Sequence, residues 1–186
     1  MLTSHPDASG VVHVQVCNAF TVEEITVTAD HCLSGAAGHV ALGNDRCTTE
    51  WEFTELNGAS FDSRSVHGDA TWWSPALSSV RTKERPQVGT PVKIVGFGRQ
   101  EGHLGAACEI QQIPGRVVNP QRCEHLAATA QVEPSSPRLL CIGEATVCAG
   151  YSGSAVVSSD APVAVLVAGD TCSTDGEGVL AALLFG

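Results

Sequence analysis

An all-β protein of two six-stranded antiparallel β-barrels is the architecture that this 186-residue sequence predicts. Two observations carry that expectation. Apolar residues scarcely recur at helical spacing, and short β-rich runs punctuated by Gly, Pro, Asn, Asp and Ser follow one another along the chain. In order, the runs cover residues 11–16, 24–28, 39–42, 48–56 and 70–73, then 91–95, 109–118, 139–142, 155–158, 162–167 and 179–184. Eleven runs overfill one small barrel and suit two. Residues 74–88 hold two prolines, Ser-Ser and the cluster Arg81-Thr-Lys-Glu-Arg85, which marks a linker. One domain is expected, with a first lobe over about residues 1–78, the linker over about 74–88 and a second lobe over about 89–186. Residues 121–130 can hold one short helix.

Composition excludes several function classes. With 43% hydrophobic and 16% charged residues, the chain is no disordered tail, and its length buries a sizeable interior without help from a metal or partner. The net charge of −10 opposes sequence-independent nucleic-acid binding, which needs clustered Lys and Arg. It equally opposes a polybasic membrane patch. No apolar run approaches the ~20 residues that span a bilayer, and Met1-Leu-Thr-Ser-His-Pro-Asp lacks the basic and apolar segments of a signal peptide.

Eight cysteines (Cys17, Cys32, Cys47, Cys108, Cys123, Cys141, Cys148 and Cys172) form an even set with no CxxC pair. That pattern predicts four disulfides in a secreted protein or another oxidising compartment, rather than a zinc site. No metal or other cofactor is expected.

Three segments together carry the parts of an acyl-transfer site. Val27-Thr-Ala-Asp-His31-Cys32 is an apolar strand ending in histidine, and Val66-His-Gly-Asp69-Ala-Thr-Trp-Trp73 has an aspartate opening a new apolar strand. Cys148-Ala-Gly-Tyr-Ser152-Gly-Ser-Ala155 sets a serine in a glycine-flanked turn. A serine hydroxyl is a poor nucleophile until a neighbouring base takes its proton. An imidazole, with an ordinary pKa of ~6.5, accepts and returns a proton near neutrality. A carboxylate fixes the imidazole's tautomer, and glycines beside the serine let backbone N–H groups approach a developing oxyanion. Singly, each segment has a plainer reading: a strand-end histidine, a turn aspartate, a flexible Gly-Ser turn. Their conjunction outweighs that reading.

The same segments resemble the chymotrypsin-like, trypsin-fold serine peptidases. Thr28-Ala-Asp-His31-Cys32 is similar to that family's Thr-Ala-Ala-His-Cys box, and Cys148-Ala-Gly-Tyr-Ser-Gly-Ser-Ala155 to its Cys-x-Gly-Asp-Ser-Gly-Gly-Pro box. Val95-Gly-Phe-Gly98 resembles the Gly-Trp-Gly strand that starts the second barrel. Val167-Ala-Gly169-Asp-Thr-Cys172, followed by Gly178-Val179, resembles the segment lining the specificity pocket. The resemblance implies an active site in the cleft between two barrels, with His31 as general base, Asp69 as orienting acid and Ser152 as nucleophile. Asp62 is the rival for the acid. Gly150 and Ser152 would supply the oxyanion N–H groups. Thr146 would floor the S1 pocket, with Gly169 and Gly178 as walls, which favours a bulky apolar P1 residue. Glu177, Asp170 and Asp175 near the rim would, if turned inward, favour a basic one.

By the same resemblance Cys17 pairs with Cys32, Cys123 with Cys141 and Cys148 with Cys172, which leaves Cys47 and Cys108 to each other. The implied activity is that of a serine endopeptidase acting as a monomer on peptide or protein substrates, without cofactor. A catalytically silent relative serving as a binding or scaffold module is the alternative. It draws on the departures at Tyr151, Val167 and Ala168, where the family has Asp, Ser and Trp. With Tyr151 in place of the acid, and no Ile-Val-Gly-Gly-like start near Met1, the oxyanion turn is expected to hold without a freed N-terminal amine, the Tyr151 ring packing into the second lobe. The chain ends at Gly186, where the family continues into a closing helix.

Overall fold

The structure is a computed structural model that describes residues 2–22, 25–32, 39–42, 52–55, 70–73, 85–99, 109–129, 136–169, 172 and 178–184. The chain opens with β1 (Leu2–Pro6), β2 (Val12–Val16), β3 (Phe20–Val22) and β4 (Ile25–Ala29), which runs into a 3₁₀ turn, Asp30–Cys32. Next come β5 (His39–Leu42), β6 (Glu52–Glu55) and β7 (Ala70–Trp73). The remaining strands are β8 (Pro91–Gly96), β9 (Gln111–Val118), β10 (Leu139–Gly143), β11 (Ala155–Ser158), β12 (Ala161–Gly169) and β13 (Val179–Leu183).

The second six strands close into the expected antiparallel barrel, in the order β10-β13-β12-β11-β8-β9. The seven described strands before it form a four-stranded sheet, β2-β1-β5-β6, and a three-stranded sheet, β3-β4-β7. Two of the seven, β1 and β3, fall where the sequence shows no strand pattern. Pairing makes them strands. β1 is held along its whole length by β2, from Leu2 opposite Val16 to Pro6 opposite Val12, and the three residues of β3 lie against β4.

The turn between β1 and β2 is built by one carboxylate. Asp7 Oδ1 accepts from Ser9 N–H at 2.9 Å, Ser9 Oγ at 2.6 Å and Val11 N–H at 3.0 Å. Its other oxygen lies 3.1 Å from His13 Nε2. Such an Asx turn supplies locally the bonds a strand would otherwise seek.

The barrel is buried on both faces along β10 and β13, whereas β8 and β9 turn one face outward. Leu140, Ile142, Ala164, Leu166, Val179, Ala181 and Leu183 point into its interior with Val92, Ile94 and Tyr151. Their neighbours Leu139, Cys141, Val165, Val167, Leu180, Ala182 and Leu184 form a second core with Leu126 and Ala127, and with Cys17, Val27, Ala29 and Cys32 from the N-terminal strands. Successive strand residues face opposite sides, so each of β10 and β13 is buried at every position. This second core joins β4 to the barrel wall.

The expected helix is split. Pro120–Cys123 is a 3₁₀ turn whose first N–H groups are met by Asn119, Oδ1 accepting from Gln121 N–H at 3.1 Å; Glu124–Thr129 continues as α1. Proline at the first position loses no bond there. Arg85, at the end of the expected linker, donates to the Pro137 and Leu139 carbonyls; residues 74–84 lie outside the described residues.

Candidate active site

The chain continues past Gly96, the last ladder pair of β8, beside the turn Ala149–Ser154, and two glycines let it come that close. A Cβ on Gly98 would overlap the Tyr151 ring, and one on Gly96 would overlap Ser154 Oγ. Arg99 N–H, one residue further, donates to the Ala149 carbonyl at 3.0 Å.

Every carbonyl from Ala149 to Ser152 has a partner. The Gly150 carbonyl accepts from Asn18 Nδ2 at 2.8 Å, the Tyr151 carbonyl from Ser154 N–H at 2.9 Å and the Ser152 carbonyl from Asn18 N–H at 2.7 Å. Gly153 N–H donates to Leu166 O, and Leu166 N–H returns a bond to Ser154 O, each at 2.9 Å. No peptide bond is cis, and in a trans peptide the C=O and N–H point in opposite directions. Pinning the Ala149 carbonyl on Arg99 therefore aims Gly150 N–H the other way, and pinning the Tyr151 carbonyl does the same for Ser152 N–H. Among the described residues, neither of these two N–H groups has a protein acceptor. Gly150 and Gly153 hold φ of 98° and 82°, a region that costs other residues strain.

Ser152 is half-buried within this turn. His31 is half-buried in the 3₁₀ turn after β4, and a ring nitrogen lies within 4.8 Å of the Cys17 and Cys32 sulfurs. Those sulfurs are bonded to each other, so the cluster offers no thiolate. The disulfide also relates the two residues. Cys32 follows His31, its partner Cys17 precedes Asn18, and Asn18 N–H holds the Ser152 carbonyl. His31 and Ser152 thus flank one seam between the N-terminal strands and the barrel. Asp69 and Asp62 lie outside the described residues. Ala70, directly after Asp69 in sequence, pairs with Ala29, two residues before His31.

Two further disulfides match the expectation, Cys123–Cys141 and Cys148–Cys172; Cys47 and Cys108 lie outside the described residues. Thr146 and Gly169 are exposed and Gly178 is buried. A side chain on Gly169 would meet Val179 and Val147, and one on Gly178 the Ile142 carbonyl and the Cys123–Cys141 sulfurs. Glu177, Asp170 and Asp175 lie outside the described residues. Tyr151 is buried in the barrel interior at 3% exposure, as its place in the sequence predicts.

Sequence reasoning missed Asn18, which is 6% exposed. Its partners lie 79 and 132 residues away, and its one sequence signal is its place beside the cysteine that bonds next to His31.

Comparison with known proteins adds the following. The family model described as Trypsin matches residues 4–183. Among solved structures, one described as "Structure of GrC" superposes with a TM-score of 0.64 at 17% sequence identity, covering 98% of this chain and 88% of that one. No curated protein matches.

Proposed function

The chain belongs to the trypsin family, and from that premise we propose that it is a secreted serine endopeptidase with His31, Asp69 and Ser152 as its triad. Ser152 Oγ attacks the scissile carbonyl carbon while His31 takes its proton. The tetrahedral oxyanion receives Gly150 and Ser152 N–H, and His31 returns the proton to the leaving amine. Water, activated by the same imidazole, then hydrolyses the acyl-enzyme and frees Ser152. Asp69 holds the imidazole in the tautomer that this sequence needs. Thr146 and Gly169 are assigned to the S1 pocket with Gly178 behind them. A threonine offers no charge to a buried Arg or Lys, so a bulky apolar P1 residue is favoured. Disulfides at Cys17–Cys32, Cys123–Cys141 and Cys148–Cys172 suit an oxidising compartment.

The observation that carries this reading is the turn itself. Two N–H groups are aimed away from carbonyls already held by Arg99 and Ser154, which suits a site built to receive negative charge as it develops.

Labelling by a fluorophosphonate probe tests it. The wild type should label at Ser152, and His31→Ala should abolish labelling. Ser152→Ala and His31→Ala should each lower turnover on the order of 10⁶-fold, the double variant adding little, because the residues act as one unit. An unlabelled wild type would leave a trypsin-fold binding module.

A further inference from the structure

We infer that Asn18 is the positioning residue that sets the oxyanion turn, a role that rests on the peptidase reading of the same site. Its side chain makes three bonds at 2.8 Å or less. Nδ2 donates to Phe97 O and Gly150 O, both at 2.8 Å, and Oδ1 accepts from Phe97 N–H at 2.7 Å. Ser152 O lies a further step from Nδ2, at 3.4 Å. The pairing with Phe97 runs in both directions, so it fixes which end of the amide is which: turned over, the NH₂ would face an N–H and the oxygen two carbonyls. The backbone of the same residue is also engaged. Asn18 N–H donates to Ser152 O, and Asn18 O accepts from the buried Thr28 Oγ1 at 2.7 Å. Gly153 packs flat on that carbonyl, where a Cβ would overlap it.

One residue between β2 and β3 thus grips two of the four turn carbonyls and the segment after β8 that holds a third through Arg99. A carboxylate cannot do this. It would accept from Phe97 N–H but turn a second oxygen on two carbonyls. A hydroxyl is too short to span Phe97 and Gly150 together. The turn therefore takes its shape from a neutral amide already in place in the folded chain.

The test compares wild type with Asn18→Ala and Asn18→Asp in three measurements: kcat and KM on a peptide that the wild type cleaves, the rate of fluorophosphonate labelling, and amide hydrogen exchange resolved to residues 149–154. In the variants kcat should fall about 100-fold, the loss expected when an oxyanion donor is misdirected, with KM within about threefold. Labelling should slow in parallel. Exchange should quicken at Gly153 and Ser154 while β12 and β13 keep their protection. Asn18→Asp keeps the volume and the bond from Phe97 N–H, so it serves where Asn18→Ala fails to fold. Unchanged kcat in a folded variant, or a loss of protection spread evenly over the barrel, would overturn the inference. A wild type that neither cleaves nor labels would overturn the peptidase reading instead. The exchange measurement would then decide on Asn18 alone: quickening confined to the turn supports it, and unchanged exchange refutes it.

Discussion

Gly98 is glycine because Tyr151 occupies the space its side chain would fill. The tyrosine ring is buried in the barrel interior, backed by a packed core that cannot withdraw. Gly98→Ala should therefore destabilise the protein by about 1–3 kcal/mol, the usual cost of overpacking. Tyr151→Ala should cost about 3–5 kcal/mol through the cavity it leaves. Combined, the two should cost less than their sum by at least ~0.5 kcal/mol, since the alanine methyl then enters vacated space. Denaturant titration of the four proteins checks this, and strict additivity would mean that the contact is not what excludes a side chain at 98. The burial of Tyr151 was legible in the sequence, because an uncharged ring standing where the family has an acid needs an apolar home. Asn18 was not legible, because a polar residue beside a cysteine has no local pattern and its meaning lies in carbonyls brought to it by the fold.

At the scale of elements, strands that carry their own pattern were legible and strands defined by a partner were not. Pro91–Gly96 alternates exposed and buried positions along its first four residues, as its sequence does. Leu2–Pro6 has no such alternation and is a strand because Asp7 folds the chain back along it. That turn is titratable. The Asp7 carboxyl is lowered from 3.8 to about 2, chiefly by the Ser9 hydroxyl and next by His13. Its folded value lies below its unfolded one, so the stabilisation is present above about pH 4 and is lost as pH falls towards 2. A carboxyl-carbon NMR titration should give a midpoint near 2 for Asp7. Ser9→Ala should raise that midpoint more than His13→Ala does, and a wild-type midpoint at the ordinary aspartate value would show that the turn is open in solution.

The whole molecule rests on a barrel whose strands β10 and β13 are buried on both faces, with disulfides fastening it at its margins. Cys123–Cys141 ties the 3₁₀ turn before α1 to β10 across a sequence separation of 18. A loop of that size corresponds to about 3 kcal/mol in the chain-entropy model. Replacing both cysteines by alanine should lower unfolding free energy by about that amount, measured by denaturant, while the Cys17–Cys32 and Cys148–Cys172 bonds persist in peptide mapping. A loss well under 1 kcal/mol would mean that the outer core alone holds the turn before α1. The all-β class and the closed six-stranded barrel were legible from runs and punctuation, and the two-faced burial of β10 and β13 follows from apolar residues at consecutive positions. The seam was legible only at its ends, in His31 and Ser152, because what joins them is tertiary.

The order of the ring also governs when the turn bearing Ser152 acquires its shape. β8 and β9 come first in the ring's sequence, but the ring cannot shut until β11 pairs with β8, residues 155–157 against 93–95, and β13 joins β12 to β10. Contacts so distant in sequence form late, because the intervening chain must first surrender its freedom. The turn bearing Ser152 lies just ahead of β11 and is gripped by Asn18, Arg99 and Leu166, so its full set of bonds needs three separate parts of the chain together. A half-made chain therefore lacks the finished turn. The shape of the Ser152 turn is thus a property of the completed ring and of no single segment within it.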